Sequence, residues 1–154
     1  MIQKFFKTEN DVSALVLRLM LGIVFFPHGA QKALGWFGGH GFSGTMQFFT
    51  GTMGIPAVFA LAAIAAEFLG SLGLITGLFT RLSALGIGVN MVVAILMVHL
   101  PNGFFMNWFG DKKGEGFEYH LLVIAMTIAL VIKGGGLLSA DKFIADKLAN
   151  RTVE

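Results

Sequence analysis

The sequence predicts an all-α integral membrane protein, a four-helix bundle in a single domain over residues 1–154, and three observations carry that prediction. Hydrophobic residues make up 55% of the 154 and charged residues only 13%, about half the ~25% share usual in a soluble domain. Three stretches, 12–34, 57–79 and 116–133, are long enough to cross a hydrocarbon core, which takes ~20 mostly apolar residues; a fourth, 82–100, has no ionisable residue before His99 and completes the set. The Lys and Arg residues fall near the ends of these stretches, so the net charge of +2 speaks to topology and not to nucleic acid.

The elements follow in order. MIQKFFKTEN sets Phe5 and Phe6 beside Lys4 and Lys7, an interfacial composition, and Asn10 or Asp11 is placed to cap the first helix. Pro27, deep in that helix, removes a backbone donor just before His28. Loop one, 35–56, is too long for a simple turn, and its Phe42, Met46, Phe48, Phe49 and Met53 predict a segment packed at the membrane surface. The second helix carries Glu67 near its middle and then Gly70, Gly73 and Gly77, which let a neighbouring helix approach closely. A tight turn through Arg81 leads to the third helix, which Pro101 and Gly103 end. Loop three, PNGFFMNWFGDKKGEGF, is again aromatic and glycine-rich, and the glycines at 134–136 stop the fourth helix before a tail, 134–154. The halves share a weak pattern, His28 then Trp36-Phe37-Gly38 and His99 then Trp108-Phe109-Gly110, which reads either as an internal repeat or as convergence on the Trp and Phe that any membrane interface favours.

With alternating helices, Lys4, Lys7, Arg81, Lys142, Lys147 and Arg151 share one side, and only Lys32, Lys112 and Lys113 the other. The positive-inside rule then puts both termini in the cytoplasm and loops one and three outside. Arg18 interrupts the apolar stretch that a cleaved signal peptide needs. There is no cysteine, which excludes disulfide relay, thiolate nucleophile and iron–sulfur ligation by this chain.

Ionisable residues within membrane segments mark function by default. Arg18 and Glu67 differ in depth by about 9 Å at 1.5 Å per residue, within reach of an ion pair joined by Asn90, and Glu67 is a candidate proton acceptor. The second group gathers outward: His28, Gln31, Lys32, His40, His99, Glu118, Tyr119 and His120, every histidine in the chain among them. On one helix His28 has Gln31 three and Lys32 four residues on, a shared face. Three chemistries suit such a cavity. A quinone or quinol needs an apolar slot, His or Tyr partners for its oxygens and a carboxylate to move protons; this makes His28, Gln31, Lys32, His99 and Tyr119 binding candidates and Glu67, Glu118 and His120 catalytic ones. A metal needs three or four converging ligands, for which His28, His99, His120 and Glu118 have the types. A bis-histidine haem needs two facing imidazoles, His28 and His99. A plain interfacial belt of polar and aromatic side chains is the bland alternative. The glycines of WFGGHGFSG lack the Lys-Ser or Lys-Thr and the strand-to-helix setting of a phosphate loop.

The segments HGAQKALGWFGGHGF, AAIAAEFLGSLGLITGLFTRLSAL and GEGFEYHLL resemble the DoxX family of small bacterial membrane proteins, in order and spacing over nearly the whole chain. The resemblance implies a four-helix inner-membrane protein associated with redox chemistry: the family takes its name from a subunit of a terminal quinol oxidase, and related proteins act in thiosulfate oxidation coupled to quinone. Recurring family features match Arg18, Gly22, His28, Gly29, Gln31, Lys32, Glu67, Gly70, Arg81, His99, Glu118, Tyr119 and His120. The expectation is thus the membrane subunit of a quinone-linked oxidoreductase, with lipid, a redox protein and a second copy of the chain as partners. A non-enzymatic membrane subunit, a small-solute carrier and a His-ligated metal or haem protein stand as alternatives.

Overall fold

A computed structural model describes residues 5–150, so Lys4 and Arg151 of the charge argument lie outside the described residues. The chain is about 75% helical, with no strand among the described residues. Helix α1 is Val12–Leu34, α2 Gly41–Gln47, α3 Ala57–Thr76, α4 Thr80–Ala94, α5 Glu118–Lys133 and α6 Ala140–Asn150. A π-helical turn, Ile95–His99, and a 3-10 turn, Leu100–Asn102, prolong α4, so it runs on to the glycine that sequence expects to end it.

Local chemistry sets these boundaries. The Asp11 carboxylate accepts from the Ser13 and Ala14 N–H groups at 2.8 and 3.3 Å, filling two of the donors that a helix start leaves open. Gly35 and Gly77, with φ of 76° and 69°, end α1 and α3 in the left-handed conformation that a side chain disfavours. Loop one is mostly helical, through α2 and a π-helical turn, Phe48–Thr52. Within the expected tail, α6 is an additional helix.

Helix α1 packs along α3, α3 along α4, and α4 along α5, with a smaller contact between α5 and α1. The glycines show how α1 and α3 meet. A Cβ at Gly22 would lie 3.0 Å from the Ser71 carbonyl oxygen, and one at Gly29 would lie 2.5 Å from Phe68 Cα. As the α1 numbers rise the α3 numbers fall, so the two run antiparallel with backbones almost touching. One apolar cluster, including Leu21, Phe25, Leu74, Ile87, Val123 and Leu130, fills the interior. Val16, Ile23, Phe59, Leu69, Leu96 and Leu122 point outward and are exposed, far more apolar surface than water tolerates on a monomer. Three helical stretches, Val12–Leu34, Ala57–Thr76 and Thr80–Asn102, are long and apolar enough to cross a membrane.

The expected Arg18–Glu67 ion pair does not form. Arg18 lies at the opposite end of the helices from His120 and donates to five carbonyls: Gly135 from Nε, Leu74 and Ile75 from one terminal nitrogen, Leu137 and Leu138 from the other, at 2.7–3.2 Å. Leu74 and Ile75 belong to the last turn of α3, whose carbonyls have no intrahelical partner and whose dipole favours a cation. Asn90 donates instead to the Ala63 carbonyl at 2.9 Å. Beside Arg18, buried Asp141 of α6 accepts from the Phe79 and Thr80 N–H groups at 2.7 and 2.8 Å, capping α4 from another element.

Candidate functional site

A cavity of about 370 Å³ lies between α1, α3, α4 and α5 at the end where α1 finishes, within the size range of small-molecule sites. Most of its wall is apolar: Phe25 of α1, Phe48 and Phe49 of loop one, Met91 and Met97 of the α4 stretch, Met106 of loop three. Its polar groups are His28 and Lys32 from α1, Glu67 from α3, Asn90 and His99 from the α4 stretch, Glu115 just before α5, and Tyr119 and His120 from α5. Seven of these come from helices, so packing rather than loop conformation sets their positions.

Two polar clusters stand in this wall. In one, Lys32 Nζ donates to Glu67 Oε2 at 2.6 Å, with the side chains 28% and 11% exposed. In the other, the His99 and His120 rings are in contact, centroids 4.1 Å apart and planes tilted by 42°, and Tyr119 meets His120 edge-on at 5.6 Å. His99 Nδ1 lies 2.9 Å from the Glu115 carbonyl oxygen. An acceptor there makes Nδ1 the protonated nitrogen and leaves Nε2 as the acceptor when the ring is neutral. His120 is 6% exposed, and its Nδ1 is buried with no hydrogen-bond partner. A buried unpaired ring nitrogen costs about 1–3 kcal/mol.

The structure brings together His28, Lys32, Glu67, His99, Tyr119 and His120 of the sequence candidates. It does not bring in Gln31, whose amide donates to the Phe37 carbonyl at 3.1 Å and so holds the turn after α1, nor Glu118, which accepts the Met106 N–H at 2.8 Å. His40 lines a separate hollow with Gly44, Gln47, Phe48 and Thr52. Sequence reasoning missed Glu115 and the loop-one phenylalanines Phe48 and Phe49; the carboxylate in GEGFEYH, three residues before Glu118, was the available signal for the first.

Among the described residues, no three His, Cys, Asp or Glu side chains converge on one point, so the ligand set His28, His99, His120 and Glu118 is not assembled. The two haem candidates, His28 and His99, both line the cavity. The ring against His99 is that of His120, at contact distance, and not that of His28.

A sequence profile described as DoxX matches residues 13–100. The chain belongs to the DoxX family. Among relatives, "Putative oxidoreductase CatD" of Bacillus subtilis is 32% identical over 134 residues, 87% of this chain and 88% of that protein. "Inner membrane protein YqjF" of Escherichia coli is 29% identical over 142 residues, 92% and 98% of the two chains. An uncharacterized protein of Haemophilus influenzae is 30% identical over 137 residues, covering 88% and 85%. No solved structure matches significantly. This DoxX protein is a multi-pass protein of the bacterial inner membrane. The profile spans α1 to α4 and so contains His28, Lys32, Glu67 and His99 of the cavity, while Tyr119 and His120 lie beyond it.

Proposed function

We propose that the protein is a quinone- or quinol-interacting membrane subunit of a redox system. In this reading α1, α3, α4 and α5 form a four-helix transmembrane bundle with both termini in the cytoplasm and loops one and three outside. The single observation that carries the reading is the apolar cavity whose wall includes His120, a residue with a buried and unpaired ring nitrogen. A flat six-membered ring bearing two oxygens needs that combination: apolar surface for the ring, and a few placed polar atoms for the oxygens. The name of the Bacillus subtilis relative, "Putative oxidoreductase CatD", agrees with it.

A bound quinone accepts two electrons and two protons to become a quinol. In this reading the electrons come from a redox protein partner, because the chain has no thiol of its own. His120 holds one ligand oxygen through Nδ1, with Tyr119 and His99 fixing the ring that does so. Lys32 and Glu67 form the second pole, where an ammonium and a carboxylate in contact can give and take a proton without a net charge entering the apolar slot. A carrier is less well supported. Between the cavity and the far end lie Leu21, Leu74, Ile87 and Leu130, all at most 3% exposed, and Arg18 with its carbonyls closes that end.

The test is lipid extraction of the protein purified in mild detergent, followed by mass spectrometry for quinones, together with thermal stability on adding a short-chain quinone analogue. Copurifying quinone, or a stability gain of about 2.7 kcal/mol at a hundredfold excess over Kd, is the expected result, lost in His120→Ala. Neither quinone in the extract nor any stabilisation by the analogue would end this reading.

A further inference from the structure

We propose that the apolar tip of loop three, residues 104–109, is inserted into the membrane interface beside α5 and completes the span that α5 leaves short. The proposal rests on the four-helix reading above. Helix α5 has 16 residues, about 24 Å at 1.5 Å per residue, against a hydrocarbon core of about 30 Å. The stretch beside it, Thr80–Asn102, has 23 residues, about 34 Å by the same rise. Helix α5 therefore falls about 6 Å short, a gap that matches the ~5–10 Å to which interfacial segments sink.

The residues next to the gap suit that depth. Phe105, Trp108 and Phe109 are 65%, 81% and 93% exposed, large rings turned outward from the loop that leads into α5. Trp belongs at the headgroup level, where its ring is amphipathic. A segment there must also satisfy its own backbone, and this one does much of it internally. The Met106 N–H donates to Glu118 Oε1 at 2.8 Å, the Asn107 N–H to Glu115 Oε2 at 2.7 Å, and the Phe104 carbonyl accepts from the Phe117 and Glu118 N–H groups at 3.1 and 2.9 Å. The Lys112 ammonium lies 5.6 Å from the Phe105 ring centroid and donates to the Phe105 carbonyl at 3.1 Å, so the cation folds along apolar surface as a snorkelling lysine does. Glu118 thereby acts as a positioning residue for the tip. Met106 of the same tip lines the cavity, which sets lipid contact and cavity back to back.

The chain has two tryptophans, so Trp36→Phe leaves Trp108 as the only one. The variant is reconstituted, with no quinone added, into phosphatidylcholine–phosphatidylglycerol vesicles whose acyl chains carry bromine either near the headgroup or near the terminal methyl. The expected result is loss of most Trp108 emission with the shallow bromine, a smaller loss with the deep one, and little quenching by aqueous acrylamide. Full acrylamide quenching with no effect of either bromine overturns the proposal and gives the tip to water and a soluble partner; a greater loss with the deep bromine overturns it too. If Trp36→Phe does not fold, the difference between the unaltered protein and Trp108→Phe reports the same quantity. The readout needs no ligand and is blind to which leaflet faces outward, so failure of the quinone reading neither imitates nor hides it.

Discussion

The two ends of the helices bury charge in opposite ways. Where α1 begins, Arg18, 1% exposed, uses all five of its N–H groups on backbone carbonyls, and Asp141, 2% exposed, caps α4 with both carboxylate oxygens. Where α1 ends, Lys32 and Glu67 share one bond, and a buried nitrogen of His120 has none. Both ends pay the desolvation cost of polar groups in an apolar medium; Arg18 and Asp141 recover it within the chain, while Thr80 Oγ1 and Arg81 Nε beside them, like His120 Nδ1 at the other end, are buried without a partner. The saturated network around Arg18 marks a structural clamp; the apolar cavity beside His120 is the feature that the proposed function uses.

The largest effect should follow from breaking the clamp. Arg18→Leu removes five donors at once and strands carbonyls from α3 and the glycine segment in an apolar interior. Loss of one side of a buried charged network costs roughly 3–5 kcal/mol, enough to remove most of the stability of an ordinary domain. Recovery of monodisperse protein on fluorescence-detected size exclusion, and the unfolding midpoint in a denaturing detergent, should both collapse. A variant as stable as the parent would show that the clamp is dispensable and that the contrast between the ends is false.

The second change probes the other end and should spare the fold. Glu67→Gln keeps an acceptor for Lys32 and removes the charge; with the side chains 28% and 11% exposed the pair is only part-buried and shares one bond, so the change should cost less than loss of the Arg18 network. The same variant should lose the stabilisation conferred by a quinone analogue. A destabilisation as large as that of Arg18→Leu would place Glu67 among the structural charges. An unchanged response to the analogue would remove it from the binding pole.

These contrasts were only partly legible in the sequence. Composition and run length sufficed for the long helices, because a membrane span is a one-dimensional property. The Arg18 partner was not, because residue count along a helix gives depth but not azimuth, and the carbonyls that receive the guanidinium lie 56 to 120 residues away. Gln31 fails for a related reason. At about 100° per residue, Gln31 and Lys32 flank His28 on opposite sides, so only one of them can turn into the cavity with it. The π-helical turn at Ile95–His99 shifts the register of His99 in a way that no periodicity argument at 3.6 residues per turn anticipates. The encounter of His99 with His120 depends on how α4 packs against α5, which a single sequence does not display.

The smallest effect concerns a charge that is satisfied yet exposed, and it separates satisfaction from burial. At the clamp end, the Lys133 ammonium and then the Ser13 hydroxyl hold the Asp11 carboxyl well below its ordinary value of 3.8. A lowered folded-state pKa means that the native protein binds a proton less readily than the unfolded chain, so stability rises with pH where the unfolded carboxyl titrates. The contribution is complete above that ordinary value and is lost as the pH falls from there through the lowered one. Asp11→Asn still caps α1, since Asn is as good an N-cap as Asp, so the variant isolates the charge. The gap in unfolding midpoint between parent and variant should be constant from about pH 7 down to about pH 5 and close below about pH 4, and high salt should narrow it because exposed pairs are screened. A gap that persists unchanged to about pH 2 would mean that the difference between Asp and Asn at position 11 does not come from the carboxylate charge, and no gap at any pH would mean that Asp11 acts through its cap alone.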